Sequence, residues 1–143
     1  MNLKLKLLVI TSVLMSILSI TACTSTKPIK TVYHLNDSID ATNAMRNANN
    51  QLDADPEGKI TFVTHSKGID FLLDGAVDKN GNPYNIEVEK LVARGVDFRV
   101  CNITLTKRNI DPKKVLPEAK IVPSGVTEVA KLQAREGYVY IKP

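Results

Sequence analysis

Cys101 is the residue of this sequence best placed for chemistry. It closes the run Asp97-Phe98-Arg99-Val100-Cys101, in which Phe98 and Val100 alternate with Asp97 and Arg99. Period-two alternation is the signature of a strand. Asn102 follows, so the strand ends at the thiol. In α/β proteins the C-terminal ends of strands are where ligands gather. A thiol there acts as a nucleophile through its thiolate, which nearby positive potential stabilises. Lys107 and Arg108 follow shortly and are candidates for that potential, although both also read as solvated charges. The opposing reading is a small hydrophobe in the core, since free cysteine is among the most buried residue types. His65 also ends a strand and can act as a base or polarise the thiol. It reads equally well as a hydrogen-bonded loop histidine. His34 lies inside a strand and reads as structural. Asn36, Asn102 and Ser124 lie just after strand ends and are candidate lining of one pocket with His65.

Other chemistries lack their residues. One Cys and two separated His offer neither CxxC nor HxxxH spacing, so no metal site is expected. Ser66-Lys67-Gly68-Ile69-Asp70 is not a phosphate loop, and no GxGxxG follows the first strand, so no nucleotide cofactor is expected. The chain has no Trp and only 5% aromatic residues, which supplies a poor stacking surface for single-stranded nucleic acid. Half of the formal +4 net charge sits on Lys4 and Lys6, in the leader. No long basic run remains beyond it, and nucleic acid is not an expected partner.

Residues 1–22 read as a signal peptide. Lys4 and Lys6 form a positive n-region, and Leu7 to Ala22 is uncharged and largely apolar, a little short for a membrane span. It ends in Ile20-Thr21-Ala22-Cys23. This is similar to the bacterial lipobox, in which an aliphatic residue and two small ones precede a cysteine that is lipidated. Residues 23–30 then form the lipidated Cys23 and a polar tether. Thr24 after the cysteine resembles the pattern sorted to the outer membrane. The expectation is a periplasm-facing chain held to a membrane by lipid; ordinary cleavage to a soluble periplasmic protein is the alternative. With Cys23 bonded to lipid, Cys101 is the one free thiol of the two cysteines. A lone thiol in an oxidising compartment invites intermolecular pairing or reactivity.

The elements that must position Cys101 fill residues 31–143. Strands are expected at Thr31–Leu35, Lys59–His65, Asp97–Cys101, Ala119–Pro123 and Tyr138–Ile141. After the N-cap residues Asn36-Asp37-Ser38 a helix carries Ala41, Ala44, Met45, Ala48 and Leu52 on one face. A short apolar helical turn spans Ile69–Leu73. A further helix covers about Asn85 to Arg94, with Val88, Leu91 and Val92 facing in and Gly95 just past its end. A basic helical segment, Thr106–Asn109, follows Cys101. The last helix opens at Ser124-Gly125, turns Val126, Val129, Ala130 and Leu132 inward, and closes at Gly137. Each parallel crossover needs a covering helix, so this alternation predicts one α/β domain on a parallel sheet with helices on both faces.

Several blocks together resemble the DsrE/DsrF-like (sulfur-relay) family: Tyr33-His34-Leu35-Asn36, Phe62 to Ile69, Leu91 to Val96, Phe98 to Leu105, and Ile121-Val122-Pro123-Ser124-Gly125-Val126. The resemblance runs from about Lys30 to Pro143. It implies a three-layer α/β/α sandwich on a five-stranded, mainly parallel sheet, and a homo-oligomer, trimer or hexamer. In sulfur-relay members a cysteine after a central strand carries persulfide sulfur, and Cys101 stands at the matching position. The resemblance thus implies a persulfide carrier or sulfurtransferase with a thiol or persulfide donor and acceptor. The best understood relay members are cytoplasmic, whereas this chain reads as exported. A non-catalytic, oligomeric binding lipoprotein with a structural Cys101 is the second expectation.

Overall fold

The computed structural model describes residues 27–143. The leader, Cys23 and the start of the tether lie outside the described residues. Five strands form one sheet: β1 (Lys30–Leu35), β2 (Lys59–Thr64), β3 (Asp97–Cys101), β4 (Ala119–Val122) and β5 (Val139–Ile141). All neighbours are parallel, in the order β4-β3-β2-β1-β5. Four α-helices accompany them: α1 (Ala41–Ala54), α2 (Tyr84–Ala93), α3 (Asn102–Lys107) and α4 (Gly125–Glu136). The α/β sandwich on a parallel sheet is the expected class.

The strand order explains how the helices divide. From β1 to β4 the chain steps one way across the sheet, and right-handed crossovers put the intervening segments on one face. From β4 it returns across three strands to β5. The same handedness places α4 on the other face, where it packs on β1, β2 and β3. The first face holds the main core. Tyr33 stacks on Phe62 at 5.1 Å and Phe62 on Phe98 at 4.8 Å, under Ala44, Met45, Leu72, Val88 and Leu91. The second face holds a small apolar cluster, Val32, Val63, Val129 and Leu132, with Tyr138 against it.

The small cluster has an ionic flank. Arg99 pairs with Asp97 at 2.7 Å and with the buried Glu128 of α4, and Lys120 reaches Asp97 at 2.9 Å. A carboxylate buried against a sheet needs such a partner. The inward positions of α4 are Gly125, Glu128, Val129 and Leu132, which is i, i+3, i+4, i+7 spacing. This corrects the expectation for two residues: Val126 is 63% exposed and Ala130 is also exposed. Helical phase decides it, because Glu128 takes an inward slot by pairing with Arg99.

The link after β2 also differs. A 3-10 segment, Ser66–Leu72, replaces the short turn expected at Ile69–Leu73. Ser66 opens it in the left-handed region, with φ 54°. Gly68 then presses on the end of β1: a Cβ there would lie 2.2 Å from the Leu35 carbonyl oxygen. That carbonyl also accepts the His65 N–H at 3.1 Å. The contact pins the start of the segment against two strands. Asp37 caps not α1 but the short 3-10 turn Ser38–Asp40 before it, accepting the Ile39 N–H at 3.1 Å.

Candidate functional site

The C-terminal edge of the sheet brings Cys101, His65 and the start of α4 together. Gly125 is wedged among them: a Cβ on it would lie 3.1 Å from the Thr64 carbonyl oxygen, 3.2 Å from Cys101 Cβ and 3.3 Å from His65 Cβ. A Cβ here would press on both strand ends, and glycine lets the helix start this close without displacing them. Ser124 makes the start possible as N-cap of α4, its hydroxyl accepting the Thr127 N–H at 3.4 Å. Its role is to place Gly125, and the hydroxyl is engaged in doing so.

Helix α3 begins at Asn102, directly after the thiol, so the basic segment expected at Thr106–Asn109 is the end of a helix that starts earlier. Cys101 is therefore the N-cap residue of α3. Its sulfur occupies the place where a capping oxygen would accept from the N2 and N3 amides. A neutral thiol is a weak acceptor, and Cys101 makes no cap hydrogen bond as such. The thiolate is another matter. Burial is the largest influence and pushes the thiol pKa up, since Cys101 is only 5% exposed. Against it act the Gly125 N–H, the Thr104 hydroxyl, and the N–H groups of Thr104 and Ile103. Together they outweigh burial and lower the pKa. Donors facing a charged acceptor are roughly twice as strong as those facing a neutral one.

Lys107 and Arg108 are not part of this balance. Arg108 donates to the Ser66 carbonyl at 2.9 Å and pairs with Asp70 at 2.6 Å, while Lys107 is exposed. The positive potential expected from them is replaced by neutral donors. Thr104 and Gly125 are the donors to the thiol that sequence reasoning missed. One signal for Thr104 was available, because a residue three positions past an N-cap faces back toward it.

His65 is half-buried, with Nδ1 2.9 Å from the Ser66 hydroxyl. Its ring lies 4.8 Å from that of His34. His34 Nδ1 and the Tyr140 hydroxyl are hydrogen-bonded at 2.9 Å, and His34 Nε2 is buried without a partner. Burial lowers the His65 pKa. Burial, then His65 and then Lys142, lower that of His34. Both imidazoles are therefore neutral at pH 7, below whose value even their ordinary pKa of about 6.5 falls. A neutral His65 can accept a proton but cannot stabilise a thiolate as a cation. His34, read from sequence as structural, is paired with the site residue His65.

The remaining candidates contribute less. Asn102 is exposed on the first turn of α3, and Asn36 is exposed after β1, where its backbone nitrogen abuts Gly68. Two grooves of about 470 and 690 Å³ lie on the α1 and α2 side of the sheet, and neither is lined by Cys101. Among the described residues no group of three or more His, Cys, Asp or Glu could hold a metal ion.

The sequence model of the DsrE/DsrF-like family matches residues 21–143. The chain belongs to the DsrE/DsrF-like family. Solved structures of similar shape agree. MTH1491 of Methanobacterium thermoautotrophicum, described as a protein of unknown function, is 26% identical over 80% of this chain and 99% of its own, with a TM-score of 0.70. The ychN protein of E. coli superimposes with a TM-score of 0.63 over 82% of this chain and 98% of its own. At 16% identity that likeness is one of fold. No curated protein matches the chain. In this DsrE/DsrF-like chain Cys101 ends β3 beside the end of β4, and the segments that follow these two strands lie on opposite faces of the sheet.

Proposed function

We propose that this DsrE/DsrF-like protein carries sulfane sulfur on Cys101. The observation that supports it is the ring of four donors that favours the thiolate at a strand end. The Cys101 thiolate attacks the outer sulfur of a persulfide donor, R–S–SH. A bond forms between the Cys101 sulfur and that outer atom as the donor's S–S bond breaks. The electron pair leaves with the donor, giving Cys101–S–SH and R–S⁻. An acceptor thiolate then takes the outer sulfur by the same exchange. Charge and atoms balance in each direction, and no oxidant is needed. His65, neutral and with its Cβ against Gly125 as that of Cys101 is, is the base we assign to accept the thiol proton before attack.

The test is the alkylation of native protein across pH, followed by peptide mass spectrometry at Cys101. Only the thiolate reacts, so the rate rises with pH and levels off above the pKa. A lowered pKa puts the midpoint below the free value of about 8.5. The second reading, a binding module with an inert Cys101, draws on the thiol's 5% exposure. It predicts no native reaction at pH 7 and rapid reaction after unfolding, a result that ends the carrier reading.

The Ile20-Thr21-Ala22-Cys23 run supports a lipid anchor as part of the same proposal, with the thiol presented on the periplasmic side of a membrane. Radiolabelled fatty acid is expected in the wild type and not in Cys23→Ser. Equal labelling of the two removes the anchor and leaves the soluble periplasmic alternative.

A further inference from the structure

Thr104 is buried at the third helical position after the N-cap Cys101, a place whose side chain turns back toward the cap, and it is the one side chain among the donors that act on the sulfur. The direction of its hydroxyl is not left to chance. Its oxygen accepts the Ser66 N–H at 3.0 Å, so that lone pair is taken and the hydroxyl proton is left for the sulfur. Ser66 can point its N–H at Thr104 because it holds φ 54°, a conformation uncommon for a residue other than glycine. Such a conformation persists where the surroundings over-determine it. They do here: Arg108 donates to the Ser66 carbonyl at 2.9 Å and is fixed in turn by Asp70 at 2.6 Å.

We propose that Thr104 sets the ionisation of Cys101, and that the chain Asp70–Arg108–Ser66 aims its hydroxyl at the sulfur. The proposal rests on the reading of Cys101 as a reactive thiol. Thr104 faces the reacting sulfur, while Ser66, Arg108 and Asp70 are positioning residues that act through it. The titratable and charged groups on this face of the sheet are His65 from β2, His34 from β1 and Tyr140 from β5, with Arg99 of β3 paired to Glu128 of α4. Both histidines are neutral above pH 7, so a midpoint measured there reports the thiol.

The test is the pH profile of Cys101 alkylation in the full chain, read by peptide mass spectrometry. Thr104→Val keeps the shape and removes the donor. Its midpoint is expected to rise by about one pH unit, the size of one lost charge-assisted hydrogen bond. Thr104→Ser keeps the donor and is expected to restore the wild-type midpoint. Arg108→Gln lies at the surface and leaves Thr104 intact, so it tests the aiming chain without touching the core. A smaller upward shift is expected, with thermal unfolding unchanged. A wild-type midpoint below about 8.5 that Thr104→Val leaves unmoved overturns this inference and spares the carrier reading. An equal rise in Thr104→Ser and Thr104→Val overturns it too, since lost packing then explains the shift. A wild-type midpoint at or above the free value overturns both.

Discussion

Cys101→Ser is expected to take up no sulfur at all under conditions where the wild type gains one atom. Incubation of the native chain with polysulfide should add about 32 Da, one sulfur, to the Cys101 peptide. The serine hydroxyl is nearly the same size but is not ionised at neutral pH, so the four donors face a group that cannot form the nucleophile. The comparison is close to all-or-none, because nothing else at the edge offers sulfur chemistry. Sulfur found on another residue of Cys101→Ser at the wild-type level would remove the carrier role. A second measurement gives the sign independently. The folded thiol has a lowered pKa, so its ionised form contributes stability that is fully present above the unfolded pKa of about 8.5. That contribution is lost as pH falls through the lower, folded pKa. Wild type should therefore gain stability over Cys101→Ser as pH rises across that window, and a flat difference would contradict a lowered pKa.

Gly68→Ala is expected to cost at least about 3 kcal/mol, at the upper end of what overpacking inflicts. The added Cβ would stand 2.2 Å from the Leu35 carbonyl oxygen and 2.6 Å from its carbon, both backbone atoms. No side chain can swing aside to admit it. Displacing that carbonyl also weakens its bond from the His65 N–H, at the head of the segment that aims Thr104. Gly75→Ala is the control. Gly75 has φ 74° with open space around its missing Cβ, so the strain there is that of the left-handed region alone, about 1–2 kcal/mol. Urea denaturation should rank Gly68→Ala well below Gly75→Ala in stability. Equal losses would mean that the start of the 3-10 segment yields freely.

Much of the fold was legible because its signals are periodic. Ala41, Ala44, Met45, Ala48 and Leu52 mark the buried face of α1 without ambiguity. Phe98 and Val100 fix the inward face of β3, which leaves Cys101 on the other. What escaped was set by contacts between distant segments. Val126 looked inward because it is apolar, but a buried glutamate held by Arg99 fixes the helical phase. Arg108 looked like a charge for the thiol, yet a serine carbonyl and an aspartate from another loop claim it. The His34–His65 contact depends on sheet register: His34 pairs with Val63, which brings the next residue of its face on β2 alongside. No spacing within one segment carries that information. The thiol itself was found by its place at a strand end; of its donors, Gly125 was missed because it comes from the helix that follows the neighbouring strand β4, a contact set by strand pairing and not by spacing.

The strand order also shapes the order in which the molecule can assemble. Lys30 pairs with Lys59, whereas on its other side Thr31 pairs with Val139. Chain-closure entropy grows as three-halves RT times the logarithm of the separation, which puts the β1–β5 pairing roughly 1 kcal/mol behind β1–β2 before any contact is made. β5 is three residues long and offers little to offset the delay. During synthesis β1 therefore has one neighbour and one bare edge until β5 emerges. An open strand edge is a template for pairing with another chain. His34 lies on that edge strand, and its tyrosine partner comes with β5, so the His34–Tyr140 hydrogen bond is among the last contacts to form.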